Sequence, residues 1–105
     1  MTSNGVQASY TATHYGESYH GQRMGCTGAP YDTNDPTIVA VGPANYARWP
    51  CGATLIITGP TNIPLQVTRQ DSCPGCHSTM IDLSEAGILI VCSGLHTCKV
   101  EVSER

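Results

Sequence analysis

Six cysteines in a chain of 105 residues constrain this fold more than any other feature: Cys26, Cys51, Cys73, Cys76, Cys92 and Cys98. The number is even, and a small domain with a thin apolar core commonly adds covalent staples. Three disulfides and an oxidising compartment follow as the expectation. Sequence alone does not select a pairing. Proximity favours Cys73–Cys76 and Cys92–Cys98, which leaves Cys26–Cys51 to close the longest loop, a bridge contributing roughly 3 kcal/mol in the chain-entropy model. Zinc competes for the same residues, since Cys73-Pro74-Gly75-Cys76-His77 and the Cys92, His96, Cys98 group have ligand-like spacings. A structural site would need four of these ligands to converge, and the expectation is no metal and no cofactor. Met1 to Gly5 lacks a basic start and an apolar stretch, so secretion implies that a leader was removed.

The rest of the composition narrows the partners. Five Lys+Arg against eight Asp+Glu leave a net charge of −3, which argues against nucleic acid as a partner. No apolar run approaches the ~20 residues of a membrane span. Charged residues make up only 12% of the chain, too few for a disordered tail. The length fits one domain, read as a tail over 1–7 and a globular unit over 8–105, and nothing in the sequence suggests an obligate dimer.

Strand signals dominate. Residues 6–15 alternate, placing Thr11, Thr13 and Tyr15 on one face. Short strands follow at 37–41, 53–58, 65–70, 79–83, 88–92 and 97–102. Helical turns are expected at 44–48 and after Ser84, an N-cap with Glu85 in its first turn and Gly87 closing it. Six or seven short strands with two helical turns at most indicate a small all-β barrel or sandwich.

Chemistry concentrates in a few carboxylates and aromatics. Ile81 and Leu83 share one face of their strand, so Asp82 points the other way, in a strand context that disfavours Asp. Asp71 shares strand parity with Leu65 and Val67 and is expected to lean inward at its strand end, or to close an Asx-turn. Hydroxyls beside an aromatic ring suit a carbohydrate, which makes the Thr11, Thr13 and Tyr15 face a candidate groove. Tyr19, Tyr31, Tyr46 and Trp49 add aromatic material, but without Phe at least half of these rings must fill the core.

Four segments together resemble the expansin-like, RlpA-like double-psi β-barrel domain. They are Ala12-Thr13-His14-Tyr15-Gly16, the Ile38–Val41 run followed by Gly42-Pro43-Ala44, Asp71-Ser72-Cys73-Pro74-Gly75-Cys76, and Ile81-Asp82-Leu83-Ser84. The resemblance covers residues 8 to 102. It implies a disulfide-stapled, six-stranded double-psi β-barrel with one or two short helical turns and a shallow polysaccharide groove. Thr13, Asp71 and Asp82 fall on the family's functional threonine and two aspartates, and Tyr15 on a groove hydroxyl. The resemblance implies loosening of a cell-wall polysaccharide, a cellulose-like glucan or peptidoglycan, without hydrolysis, with Asp82 and Asp71 as the acting carboxylates and Thr13 and Tyr15 beside them. From their own chemistry and position, Thr11 on the same polar face, Glu17 and Trp49 join them as expected binding residues.

Related branches imply other outcomes. RlpA-like lytic transglycosylases carry a histidine where this chain has Val41. Family 45 glycoside hydrolases pair an acid at the Asp82 position with a second carboxylate, for which this chain offers Glu17. A bacterial papain-inhibitor type shares the barrel and implies a protease partner, with Cys26–Cys51 and Cys73–Cys76 bridges. Fold alone does not choose among these.

Overall fold

The computed structural model describes residues 8–104. The tail read at 1–7 and the start of the first strand at 6–7 lie outside the described residues. Six strands close into a barrel in the order β1-β5-β2-β4-β3-β6. They are β1 (Ala8–His14), β2 (Ile38–Val41), β3 (Thr54–Thr58), β4 (Leu65–Ser72), β5 (Met80–Leu83) and β6 (Cys98–Glu104), with one helix, α1 (Glu85–Cys92), between the last two. Single 3-10 turns occupy Glu17–Tyr19 and Pro43–Asn45. β1 runs parallel to β5 and β2 parallel to β4, while the remaining pairs are antiparallel.

Alternation sets the inside of the barrel. Tyr10, Ala12, Val39, Val41, Leu55, Ile57, Val67, Ile81, Leu83, Val100 and Val102 are all buried in one cluster. A second, smaller cluster of Met24, Tyr31 and Ile38 lies against Tyr15. Ile38 precedes inward-facing Val39, so this cluster packs on the outer face of β2, under the long segment between β1 and β2.

The strand expected at 88–92 is a helix. Ser84 does cap it, its hydroxyl accepting from the Gly87 amide at 3.0 Å and donating to the Asp35 carbonyl at 2.6 Å. Gly87 does not close the helix but sits inside it, where a Cβ would lie 3.3 Å from the Pro36 carbonyl oxygen. Ile88, Val91 and Cys92 bury one helical face. A short apolar run fits either period, and here the cap and the close packing at Gly87 decide. Ser93 ends the helix in the left-handed region, and the described residues hold six strands.

Three disulfides staple the barrel: Cys26–Cys51, Cys73–Cys76 and Cys92–Cys98. This is the pairing that proximity favours, and no cysteine is free.

Candidate functional site

The site is built by strand register. On β1, Thr13 lies beside Asp82 of β5. Asp82 lies beside Ala40 of β2, and Ala40 beside Asp71 of β4. Thr13, Asp82, Ala40 and Asp71 therefore form one row across four adjacent strands on the outside of the barrel.

Asp71 reaches this row only through a bulge. Between β2 and β4 the register passes from Val39–Arg69 to Ala40–Asp71, so β4 carries one extra residue, Gln70. Strand parity from Leu65 and Val67 places Asp71 inward, and the extra residue reverses it, as bulges do. Arg69 anchors the distortion. Its buried guanidinium donates to the Asp71 carbonyl at 3.2 Å, the Ser72 hydroxyl at 2.8 Å and the Trp49 carbonyl at 3.2 Å, and it lies over the Tyr46 ring.

The two carboxylates have different surroundings. Asp71 Oδ1 accepts from the Gly25 amide at 2.7 Å and its neighbour Ser72's amide at 2.9 Å, which fixes the side chain and leaves Oδ2 outside these bonds. Asp82 Oδ1 faces the Thr13 hydroxyl at 2.8 Å. Burial pushes the Asp82 carboxyl above the usual carboxylate range; the Thr13 bond and the adjacent His14 oppose that shift, and Asp71 adds to it. The row spans two strand spacings between the aspartates, about 9–10 Å between backbones.

A cavity of about 480 Å³ opens over this row. Asp71, Asp82, Ala40 and Tyr15 line its floor. Tyr19, Gln22 and Arg23 form one side, and Ser72 with the Cys73-Pro74-Gly75 loop forms the other. Tyr15 stacks on Tyr31 at 4.0 Å, and the Tyr31 hydroxyl donates to the Tyr15 carbonyl at 2.8 Å. Among the described residues the buried Tyr15 hydroxyl makes no hydrogen bond of ordinary geometry, although Asp71 lies close enough to act on it. Burial first, and then the negative charge of Asp71, hold its phenol far above the ordinary range, so it remains a donor. His14 closes one end of the cavity. Its Nδ1 lies 3.1 Å from the His96 carbonyl, which fixes a proton there, and its Nε2 lies 3.4 Å from Glu85.

Of the residues singled out from sequence, Asp71, Asp82 and Tyr15 line the cavity, and Thr13 supports Asp82 from the same row. The others lie elsewhere. Thr11 is paired between Met80 and Lys99, and its hydroxyl accepts from Lys99 Nζ at 3.2 Å. Glu17 is exposed on its 3-10 turn and is not among the lining residues. Trp49 is no groove residue: it is 1% exposed, packs on Tyr10 at 5.2 Å, and donates from Nε1 to Glu104 at 2.8 Å. In a chain without Phe the one Trp is core material. Gln22 and Arg23 carry no sequence signal for the site, because only the closed barrel brings their loop over the row; Pro74 lies in the Asp71–Cys76 motif but is not singled out by it as a lining residue.

Neither a protein-family model nor a curated protein matches the chain. Solved structures do. The Streptomyces papain inhibitor is 22% identical with a TM-score of 0.71, over 94% of this chain and 93% of that one. A mutant Clavibacter michiganensis expansin in complex with cellohexaose is 24% identical with a TM-score of 0.74, over 95% of this chain and 51% of that one. The apo form of the Clavibacter michiganensis expansin is 26% identical with a TM-score of 0.72 and the same coverage. The chain thus spans about half the length of the expansins it matches. Closed six-stranded topology, three disulfides and these likenesses together give one conclusion: the chain has the expansin-like double-psi β-barrel fold.

Proposed function

We propose that this chain is a secreted expansin-like protein that binds a cell-wall polysaccharide along the Asp71–Asp82 groove and loosens it without hydrolysis. The Thr13–Asp82–Ala40–Asp71 row carries the reading. Small Ala40 leaves a gap between two hydrogen-bonding carboxyls, and an open groove over such a floor suits an extended glycan. Asp82 keeps its proton to higher pH than an exposed carboxyl and donates it in a hydrogen bond to an oxygen of the glycan, the glycosidic one included. Thr13 orients it. Asp71, held by two backbone amides, accepts from a sugar hydroxyl. This competition for the glycan's own hydrogen bonds separates packed chains without cleaving a covalent bond. A cellohexaose complex among the similar expansins supports a β-glucan as ligand.

A second reading rests on a separate observation. The Streptomyces papain inhibitor matches this chain over nearly the full length of both, which favours a protease partner. One experiment separates the readings. Wild type and Asp82→Asn are incubated with cellulose, chitin, xylan-rich wall and peptidoglycan, and bound protein and released reducing ends are both measured. Retention that falls in Asp82→Asn, with no sugar released, is the expected result. Release that depends on Asp82 makes the chain a glycosidase. Absence of retention on every polymer, with inhibition of a papain-like protease by both proteins, establishes the second reading instead.

A further inference from the structure

We infer that the groove selects glycans bearing a carboxylate on a sugar ring, and that Arg23 reads this group from the groove wall. The inference rests on the groove reading above and names its substrate class more closely.

Arg23 sits on a tethered hairpin. The Tyr31 amide donates to the Gln22 carbonyl at 2.7 Å, the Met24 amide to Ala29 at 2.8 Å, and Arg23 bridges Pro30. The hairpin is then fixed to the floor. Gly25 donates to Asp71, the Cys26 amide donates to the Gln70 carbonyl at 3.1 Å, and Cys26 is bonded to Cys51. Met24 is buried beneath it. The backbone of Arg23 is therefore held against the bulge that positions Asp71.

Its side chain has little to do within the protein. Arg23 is exposed, and among the described residues its guanidinium makes no ion pair, only a long 3.5 Å bond to the Gly28 carbonyl. The other described cations are occupied: Arg48 pairs with Glu104 at 2.8 Å, Arg69 is buried on three oxygens, and Lys99 meets Thr11 on another face. Arg23 is the one Arg or Lys lining the cavity. A planar guanidinium binds a carboxylate through two parallel hydrogen bonds, a geometry that sugar hydroxyls match less well. Gln22 beside it offers a further amide, and half-exposed Tyr19 offers a ring face for the same sugar. On the floor the accepting carboxylate of Asp71 repels an anionic substituent, so the wall is where one is accepted, which also fixes how the glycan lies in the groove.

Two sources supply this chemistry, a uronate in a plant-type polymer and the lactyl carboxylate of peptidoglycan glycan strands. The test compares depletion isotherms of the full chain on cellulose, on cellulose oxidised to carboxylate at C6, and on peptidoglycan strands stripped of peptide, at low ionic strength. Net charge of −3 opposes binding to any anionic polymer, so a preference for the carboxylated one cannot come from bulk attraction. Wild type is expected to bind one or both carboxylated polymers about two- to fivefold more tightly than cellulose, the scale of one solvent-accessible ion pair. Arg23→Gln removes that preference, its loss on the carboxylated polymers exceeding any loss on cellulose by the same factor, and Arg48→Gln, which removes the same charge elsewhere, leaves the preference in place. Whichever carboxylated polymer shows the Arg23-dependent gain identifies the source. Equal binding of wild type to all three polymers, or an equal loss on all three in Arg23→Gln, overturns the inference while leaving the groove reading standing. Failure of wild type to bind any of them overturns the groove reading itself.

Discussion

Removing Cys26–Cys51 and removing Cys92–Cys98 should have separable consequences, because the first bridge tethers a groove wall and the second joins α1 to β6. The perturbations are the double variants Cys26→Ala/Cys51→Ala and Cys92→Ala/Cys98→Ala. The first bridge spans a sequence separation of 25 and the second of 6. In the chain-entropy model these loops contribute about 3.5 and about 2.2 kcal/mol. For a domain near 100 residues each kcal/mol moves Tm by about 4–5 °C, so the expected losses are roughly 15 °C and roughly 10 °C.

The functional consequences should not follow the same order of magnitude. Without Cys26–Cys51 the Gly25–Cys26 end of the hairpin is held to the floor by the Gly25–Asp71 and Cys26–Gln70 hydrogen bonds, while Met24 and Tyr31 stay packed at its base. Each such bond contributes only about 0.5–1.5 kcal/mol net, so the wall opens and polymer retention falls sharply. Cys92–Cys98 touches neither the hairpin nor the bulge, and its loss should leave retention close to wild type. The assay is a thermal melt beside a retention isotherm, run at least 20 °C below the lower Tm. A Tm loss under about 5 °C for Cys26→Ala/Cys51→Ala would refute the entropic argument. Equal loss of retention in both variants would refute the assignment of that bridge to the wall.

Asp82→Asn should stabilise the protein near neutral pH. A carboxyl whose folded value lies above its reference of 3.8 binds a proton longer in the folded state than in the unfolded one, so stability declines as pH rises through that window. Melts at pH 3.5 and pH 7 should show the variant ahead only at pH 7; a lower Tm at pH 7 would mean that Thr13 and His14 outweigh burial. Gly42→Ala should cost about 1–3 kcal/mol, because its Cβ would lie 2.6 Å from the Cys76 carbonyl oxygen and backbone must move. Retention should fall with it, since the Cys73–Cys76 loop is the other wall, whereas Gly16→Ala, with nothing within 4 Å, should leave Tm unchanged. Ala40→Leu, at a position only 2% exposed between Asp82 and Asp71, should cost about 1–3 kcal/mol by overpacking and lower retention with it; wild-type retention by the folded variant would show that the glycan does not cross this part of the floor.

Much of the barrel was legible because alternation and cysteine spacing are local signals. Ile81, Asp82 and Leu83 settle their own faces, and Ser84 announces the helix that follows. The misreadings came where local signals were ambiguous or absent. Ile88–Cys92 fits both periods, and the contact that decides, Gly87 against Pro36, lies 51 residues apart in sequence. Asp71 was recognisable as a site residue from its motif, yet its direction was not, because the bulge at Gln70 is defined only by what β2 does on the other side. Trp49 looked like a sugar platform because its role as core filler depends on Glu104 and Tyr10, at the opposite ends of the chain.

The floor and the walls of this groove answer to different constraints. Thr13, Ala40, Asp71 and Asp82 come from four strands whose register is imposed by barrel closure, so these four positions cannot move apart without the fold, whatever side chains they carry. The walls are a disulfide-tethered hairpin and a disulfide-closed loop, which can vary while the strands stay paired. A papain inhibitor and a cellohexaose-bound expansin on one architecture are what such a division allows. Identity of the partner should therefore be sought in Tyr19, Gln22, Arg23 and Pro74, while the partly buried Asp82 carries a cost in stability that this fold has no packing reason to keep. A half-buried carboxyl at that position supports the proposed contact with a ligand.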